Sequence, residues 1–440
     1  MKSDLAKVLH TICGRSLVGH VVAAARSAGL EPVVVVHHQE EAVRADLEGQ
    51  DVLFVRQEQP RGTGDAVRSA LSVLPDSGTV LVMAGDAPLL RAETFATLRA
   101  AHGDRAATVL TALLENPGQY GRLIRDTEGR SHIVEAGEAT GDQLAVAEIN
   151  TGLYAFDLAW LRAVLSTLPV HGDKGEIYLT DTLALASAED RSGVVLHDDP
   201  DEVLGVNDRW DLAQARRVLQ GRIIQAHARA GVTFIDPAST VVEVAVTLAP
   251  DCEIGPGVVL EGRTSLATGV TIRPHCVLQD TSVGEGVEVL SHTVCEGATI
   301  DAGVRRLGPM ARLRPGTVLR QGARVGNFVE IKNATLESGA TVGHLSYIGD
   351  ATVGADSNIG AGTITCNYDG FEKHHTEIGA RAFIGSNTAL VAPVSVGDGA
   401  IVGAGSVIVR DVPADAVSVA RAEQVDRQGA AERVRQRKKP

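Results

Sequence analysis

Residues 241–278 read VVEVAVTLAPDCEIGPGVVLEGRTSLATGVTIRPHCVL, and an aliphatic recurs at every sixth place: Val242, Leu248, Ile254, Leu260, Leu266, Ile272 and Leu278. The same step returns at Ile378, Ile384, Leu390, Val396, Val402 and Ile408. A helix repeats every 3.6 residues and a strand every two, so six is neither. It is the mark of a solenoid in which each short strand gives one side chain to a narrow core. Three strands per coil make a triangular prism, a left-handed parallel β-helix of hexapeptide repeats. Glycine often follows the aliphatic, as in Ile254-Gly255, Val283-Gly284, Ile348-Gly349, Ile359-Gly360 and Ile384-Gly385. Those positions suit tight corners. Between the two runs the step slips to five, at Leu278 to Val283 and Val289 to Val294.

Composition agrees with a narrow core. The 440 residues include 47 Gly but only 7 Phe, 2 Trp and 5 Tyr, so part of the core must be small aliphatics. Hydrophobic residues make up 44%, which excludes a disordered chain. The net charge of −14 argues against a nucleic-acid partner, which needs a basic surface. No apolar run approaches a membrane span, and no signal-peptide pattern opens the sequence. Cys13, Cys252, Cys276, Cys295 and Cys366 are odd in number and lack CxxC spacing, as expected of reduced thiols in a cytoplasmic protein.

Upstream of about residue 230 the texture changes. Val33–Val36 and Val80–Met83 read as buried strands, with helical stretches between them such as 16–28, capped by Ser16 and stopped by Gly29. The alternation predicts a mainly parallel, Rossmann-like α/β sheet covered on both faces. The expected organisation is an α/β domain over 1–207, a linker helix over 208–230, the β-helix over 231–423 and a basic tail over 424–440. That tail, with Arg433, Arg435, Arg437, Lys438 and Lys439, reads as a disordered terminus, with a role in holding an anionic ligand as the alternative.

A β-helix alone is a scaffold, so chemistry must lie where the repeat is broken. The largest break is Cys366-Asn367-Tyr368-Asp369-Gly370-Phe371-Glu372-Lys373-His374-His375, a polar loop that leaves after Thr365 and returns at Ile378. His344 lies just before it, Arg312, Arg314 and Lys332 lie one or two coils upstream, and Tyr347, Asn358 and Asn367 add hydrogen-bonding groups suited to a sugar. Acyl transfer to an amine fits this set. An ammonium must lose a proton before it attacks a thioester, and an imidazole is a suitable base. The oxyanion then needs a donor. Such sites tend to form between neighbouring subunits of a prism, so a homotrimer is expected.

In the first half, Gln57-Glu58-Gln59-Pro60-Arg61-Gly62-Thr63-Gly64-Asp65-Ala66 holds a Gly-Thr-Gly turn opening a helix, which can present N–H groups to a base or phosphate or simply turn the chain. Asp86 follows a strand, where open α/β sheets bind ligands. Asp86 and Asn207 could supply oxygens to Mg²⁺ or could be caps.

The blocks Arg312-Leu313-Arg314-Pro315-Gly316, Gly326-Asn327-Phe328-Val329-Glu330-Ile331-Lys332, Gly343-His344-Leu345, Tyr347-Ile348-Gly349-Asp350 and Asn358 to Gly370 occur in this order. Lys7-Val8-Leu9-His10, Gly62-Thr63-Gly64, Gly85 to Leu89, Tyr120-Gly121-Arg122, Ile133-Val134-Glu135, Glu148 to Gly152 and Gly205-Val206-Asn207 precede them. Together they resemble the bifunctional N-acetylglucosamine-1-phosphate uridyltransferase/glucosamine-1-phosphate N-acetyltransferase family over nearly the whole chain. The resemblance implies acetyl transfer from acetyl-CoA to glucosamine-1-phosphate, then uridylyl transfer from UTP with pyrophosphate release. It implies that His344 is the base and that Arg314, Lys332 and Lys373 grip the sugar phosphate. Tyr347, Asn358 and Asn367 would line the sugar. Ala361, Asn367, Tyr368, Ser386, Ala404 and Arg421 would contact acetyl-CoA. In the first half, Gln57, Gly62 and Thr63 would meet the uracil, and Gly121, Glu135, Asn150 and Thr151 the N-acetylglucosamine. Lys7 would pair with phosphate, and Asp86 and Asn207 would hold Mg²⁺.

The family opens with a strand and a Gly-x-Gly-Thr-Arg phosphate loop, whereas this sequence begins at Met1-Lys2-Ser3-Asp4-Leu5, past that loop. The expectation is a true start upstream, with uridylyl transfer by the chain as written depending on it. Ala6, where proline is usual, and Ala136-Gly137 after Glu135 also depart from the family. Three other readings stand beside this one. They are a hexose-1-phosphate nucleotidyltransferase with a regulatory β-helix, a non-catalytic scaffold, and a zinc enzyme using His344, His374 and His375.

Overall fold

The computed structural model describes residues 1–172 and 175–437, so Lys438 and Lys439 of the basic tail lie outside the described residues. Two compact units divide between residues 221 and 222. The boundary falls inside one helix, Arg209–Arg229, after which Gly231 turns the chain at φ +99°.

In the second unit the six-residue step becomes three stacked series of strands. One runs Val242↔Leu260↔Leu278↔Cys295↔Leu313↔Ile331↔Ile348. A second runs from Leu248 through Leu266 and Val283 to Ile300 and Leu319. The third runs Ile254↔Ile272↔Val289↔Leu307↔Val325↔Val342↔Ile359↔Ile384↔Val402. All are parallel pairs, and the aligned aliphatics form one core from Ile224 to Val412 with no aromatic among its fully buried members. Leu260 to Leu278 is a step of 18 and Leu278 to Cys295 a step of 17. The slip to five is therefore a corner shortened by one residue, which leaves the core register intact. Corner hydroxyls take up backbone carbonyls left over by the turns: Thr317 donates to the Arg314 carbonyl at 2.7 Å and Thr363 to that of Gly360 at 2.7 Å. Between Val353 and Ile378 the step stretches to 25, and the surplus is the 366–375 loop.

The first unit corrects one expectation: its main sheet is mixed, not mainly parallel. Ser192–His197 pairs parallel with Ala107–Leu113, but the long strand Glu148–Asp157 runs antiparallel to both Ala107–Leu113 and Thr79–Val82. That ten-residue strand reaches across two neighbours, and the hairpin Arg122–Arg125/Ser131–Val134 extends the sheet antiparallel. Val33–Val36 and Leu53–Arg56 pair parallel with each other in a separate two-stranded sheet. The Ser16 cap forms as expected, its hydroxyl accepting from the Gly19 N–H at 2.9 Å. The tail is a second correction: Ala430–Arg437 is helical and exposed, built from good helix formers with Gln436 reaching back to Glu432.

Candidate functional sites

His344 ends the strand Thr341–His344 and stands exposed at a corner of the prism. Asn327 lies one coil below it in register, and Asn327 Oδ1 is 2.6 Å from His344 Nδ1. An amide oxygen can only accept, so Nδ1 carries the proton and Nε2 keeps its lone pair. Val342, Ile359, Ile384 and Val402 are aligned, and two residues beyond each stand His344, Ala361, Ser386 and Ala404. Backbone bonds up the same corner agree: Asn387 N–H to the Ala361 carbonyl at 2.8 Å and Gly405 N–H to that of Ser386 at 2.8 Å. Arg421 comes next to Gly405 at the top. His344, the half-buried Ala361 and the exposed Ser386 and Ala404 thus share one edge.

On the next face, Arg314 donates to Glu330 Oε1 at 2.9 Å, and Glu330 stacks under Tyr347. Lys332 has its ammonium pulled below the ordinary lysine range, first by Lys373 beside it and further by Arg314. Three cations therefore converge, as a phosphate dianion requires. Tyr347 folds its ring over Gly349, where a Cβ would push the ring aside. Asp350 ties the cluster to the loop by accepting from Asn333 Nδ2 at 2.7 Å and from Asn367 Nδ2. Burial alone would raise the Asp350 carboxyl. The two amide bonds and the charges of Lys373 and Lys332 outweigh it and hold the group low.

The loop is a small ordered hairpin. Tyr368 pairs with Lys373, and Asp369 Oδ1 accepts from the N–H groups of Phe371 at 2.8 Å and Glu372 at 2.7 Å. His374 is held by Asp369 Oδ2 at 2.7 Å, and His375 is within reach of Glu377 and Thr352. His344, His374 and His375 are thus committed to three different partners. Among the described residues no group of three or more His, Cys, Asp or Glu is gathered for a metal.

In the first unit, Lys7 forms an ion pair with Asp86 and donates to Asn207 Oδ1 at 3.2 Å. A carboxylate and an amide oxygen from residues 121 apart in sequence converge on one positive charge. By donor type they fit Mg²⁺, with substrate oxygens needed to complete the shell. Tyr120, quoted in a block but given no role by the sequence, accepts from the Gly205 N–H at 2.9 Å and borders Asp86. Gly121, Glu135 and Asn150 are brought together: a Cβ on Gly121 would stand 3.4 Å from Glu135 Oε2, and the Asn150 N–H donates to the Gly121 carbonyl at 2.8 Å. Glu135 is half-buried, and that desolvation raises its carboxyl, although Thr180 donates to it at 3.2 Å. Thr151 spends its hydroxyl on the Leu110 carbonyl at 2.8 Å.

The glycine turn holds a surprise. Gly62 caps the helix Thr63–Ala70 at φ +90°, and a Cβ there would meet the Ile177 carbonyl oxygen at 2.6 Å. The Gly64 N–H donates to that same oxygen at 2.9 Å, and Thr63 Oγ1 accepts from the Leu179 N–H at 3.0 Å. These glycines let the 177–179 segment approach, and the Gly64 N–H is already spent. Gln57 sits against the turn, its Nε2 donating to Asp65 Oδ2 at 2.8 Å and, more weakly, to the Gly62 carbonyl at 3.4 Å.

A family model for the MobA-like NTP transferase domain matches residues 1–153, and one for the bacterial transferase hexapeptide (six repeats) matches residues 375–410. The bifunctional protein GlmU of Alkalilimnicola ehrlichii is 48% identical over 427 residues, covering 96% of this chain and 92% of that protein. The chain belongs to the GlmU family. GlmU of Methylococcus capsulatus is 46% identical over 433 residues, 98% of this chain and 94% of its own length. GlmU of Stenotrophomonas maltophilia is 46% identical over 428 residues, covering 96% and 93%. Both halves are transferase modules, and the chain is an enzyme. No helix among the described residues is long and apolar enough to cross a membrane.

Proposed function

We propose that this GlmU-family chain makes UDP-N-acetylglucosamine in two steps. The β-helix transfers acetyl from acetyl-CoA to the amine of glucosamine-1-phosphate, and the α/β half transfers uridylyl from UTP to N-acetylglucosamine-1-phosphate. The observation that carries the first step is the Asn327–His344 bond, which leaves Nε2 as a base. Nε2 takes a proton from the substrate ammonium and the amine attacks the thioester carbonyl; as the C–S bond breaks, coenzyme A leaves as the thiol with that proton, and the nitrogen sheds its second proton to solvent. Arg314, Lys332 and Lys373 hold the sugar phosphate, while Tyr347, Asn358 and Asn367 position the ring. Acetyl-CoA lies along the corner formed by Ala361, Ser386 and Ala404, with Tyr368 and Arg421 at its sides.

A corner of a prism is convex, so one chain supplies one wall of this site. A homotrimer supplies the others. In the α/β half, Gln57, Gly62 and Thr63 meet the uracil, and Gly121, Glu135, Asn150 and Thr151 meet the amino sugar. Lys7 leaves Asp86 for a substrate phosphate. Asp86 and Asn207 would hold Mg²⁺, which neutralises charge on the phosphates when bound. A phosphate oxygen of the sugar attacks the α-phosphorus of UTP, and pyrophosphate departs. Five cysteines, odd in number and without CxxC spacing, suit action in the reducing cytoplasm.

Paired assays on the full chain test the reading. Thiol release from acetyl-CoA with glucosamine-1-phosphate is expected of the chain as written, and pyrophosphate release from UTP with N-acetylglucosamine-1-phosphate and Mg²⁺ is expected of the chain that also carries the phosphate loop on which uridylyl transfer depends. A folded chain that releases no thiol overturns the first half of the proposal, and a folded chain with that loop that releases no pyrophosphate overturns the second.

A further inference from the structure

The base-binding turn contains a device that the reaction itself does not call for. Gln57 is a primary amide, and an amide can offer a ligand either its oxygen, which accepts, or its NH₂ group, which donates. Which end faces outward decides whether the partner must bring a donor or an acceptor. Here both Nε2 hydrogens are turned inward, one to Asp65 Oδ2 at 2.8 Å and the other towards the Gly62 carbonyl at 3.4 Å. Gln57 Oε1 accepts no hydrogen bond from any described residue. Asp65 is only 6% exposed and Gln57 8%, so water is a poor substitute for these bonds.

The geometry points to Asp65 as a specificity-determining positioning residue: by locking the Gln57 amide with its oxygen outward, it selects a pyrimidine that carries a hydrogen on N3. Uracil brings that donor. Cytosine presents a lone pair at N3 and would face the Gln57 oxygen with like polarity. The inference deepens the reading that Gln57 meets the nucleotide base, and it rests on that reading.

Arg68 makes the lock one-way. It pairs with Asp65 Oδ1 across one turn of the helix Thr63–Ala70, so the carboxylate accepts from Arg68 on one oxygen and from Gln57 on the other. Burial alone would raise this carboxyl, but the bonds from Gln57 and Arg68 and the charge of Arg68 outweigh it and hold the group ionised. An ionised carboxylate has no proton to give, so Gln57 can meet it only with NH₂. In Asp65→Asn the guanidinium, a donor only, keeps the new amide oxygen on its own side. The new NH₂ then faces Gln57, which turns its oxygen inward and offers a donor to the base. The Gly62 carbonyl resists this turn, which limits the size of the effect.

Equilibrium dialysis of the full-length protein with Mg²⁺ and either UTP or CTP tests the inference, with thermal melting and thiol release as checks on folding. Wild type should prefer UTP. Asp65→Asn should lower the ratio of UTP to CTP affinity by about tenfold or more, while Asp65→Glu, still an acceptor only, should keep the preference. Gln57→Ala should abolish the preference whatever stands at residue 65. If Gln57→Ala flattens the ratio but folded Asp65→Asn keeps it, the inference is overturned and the base contact stands. If Gln57→Ala leaves the ratio intact, or wild type binds neither nucleotide, the underlying reading fails and takes the inference with it.

Discussion

In the β-helix, most coils place one aliphatic on each face, and residues mostly 17 or 18 apart in sequence become neighbours in space. In the α/β half the core is built around Tyr154, Phe156, Trp160 and Phe95, and the pair Lys7 and Asn207 meets across 200 residues. The same contrast governs the two sites. Asn327 and His344 are joined by a register step, and Arg314, Lys332 and Gly349 by two more. Nothing comparable links Asp86 to Asn207 before the chain has folded. A solenoid therefore encodes its site in a period, whereas a layered fold encodes it in topology.

If the two sites are separate chemistries, removing divalent metal should divide them completely. Excess EDTA should abolish pyrophosphate release and leave thiol release unchanged; loss of both would tie the β-helix to a metal. The cores offer the next contrast. Leu313→Ala, in the stacked core, should cost about 2–5 kcal/mol in denaturant unfolding followed by a probe in the second unit. Phe156→Ala should cost a similar amount, read by a probe in the first. Equal losses in both units from either change would mean that the two do not unfold separately.

A smaller effect should sharpen the view of the phosphate cluster. Lys332→Ala removes one charge-assisted contact and should raise KM for glucosamine-1-phosphate roughly tenfold to a hundredfold, with kcat little altered. Smaller still is the acid response of the 366–375 loop. The Asp350 carboxyl is held low, so its tie to Asn333 and Asn367 is complete above the ordinary carboxyl range near ~4. It should be lost only as pH falls through the lower folded value. Carboxyl NMR should find Asp350 titrating below free aspartate, and Lys373→Gln should move it upward; a normal midpoint would contradict the network.

The sequence carries the β-helix almost completely, because an aliphatic at Leu260, Leu278 and Leu313 can occupy one row in only one register. His344, Lys332 and the 366–375 loop are equally legible as departures from that row. Asn327 and Asp350 are not. Each sits in a quoted block, yet an asparagine at a corner is ordinary, and its meaning comes from what lies one coil above. In the first half, the alternation of strands and helices shows the class but not the antiparallel run of Glu148–Asp157, since pairing direction depends on where the chain returns. Gly62 and Gly64 show a different limit. Their spacing reads as a ligand turn, while the structure spends it on the approach of Ile177. Asp65 lies in the quoted stretch, but its role is not legible there because its partner Gln57 is eight residues away and the bond joins a turn to a helix.

The most direct test of the account is His344→Ala in the full-length chain, assayed for both reactions. The account predicts that thiol release falls about 10²–10⁴-fold while pyrophosphate release changes by less than about twofold, since the two groups lie in different units. Thiol release persisting at the wild-type rate in the folded variant would contradict the claim that this corner histidine is the base.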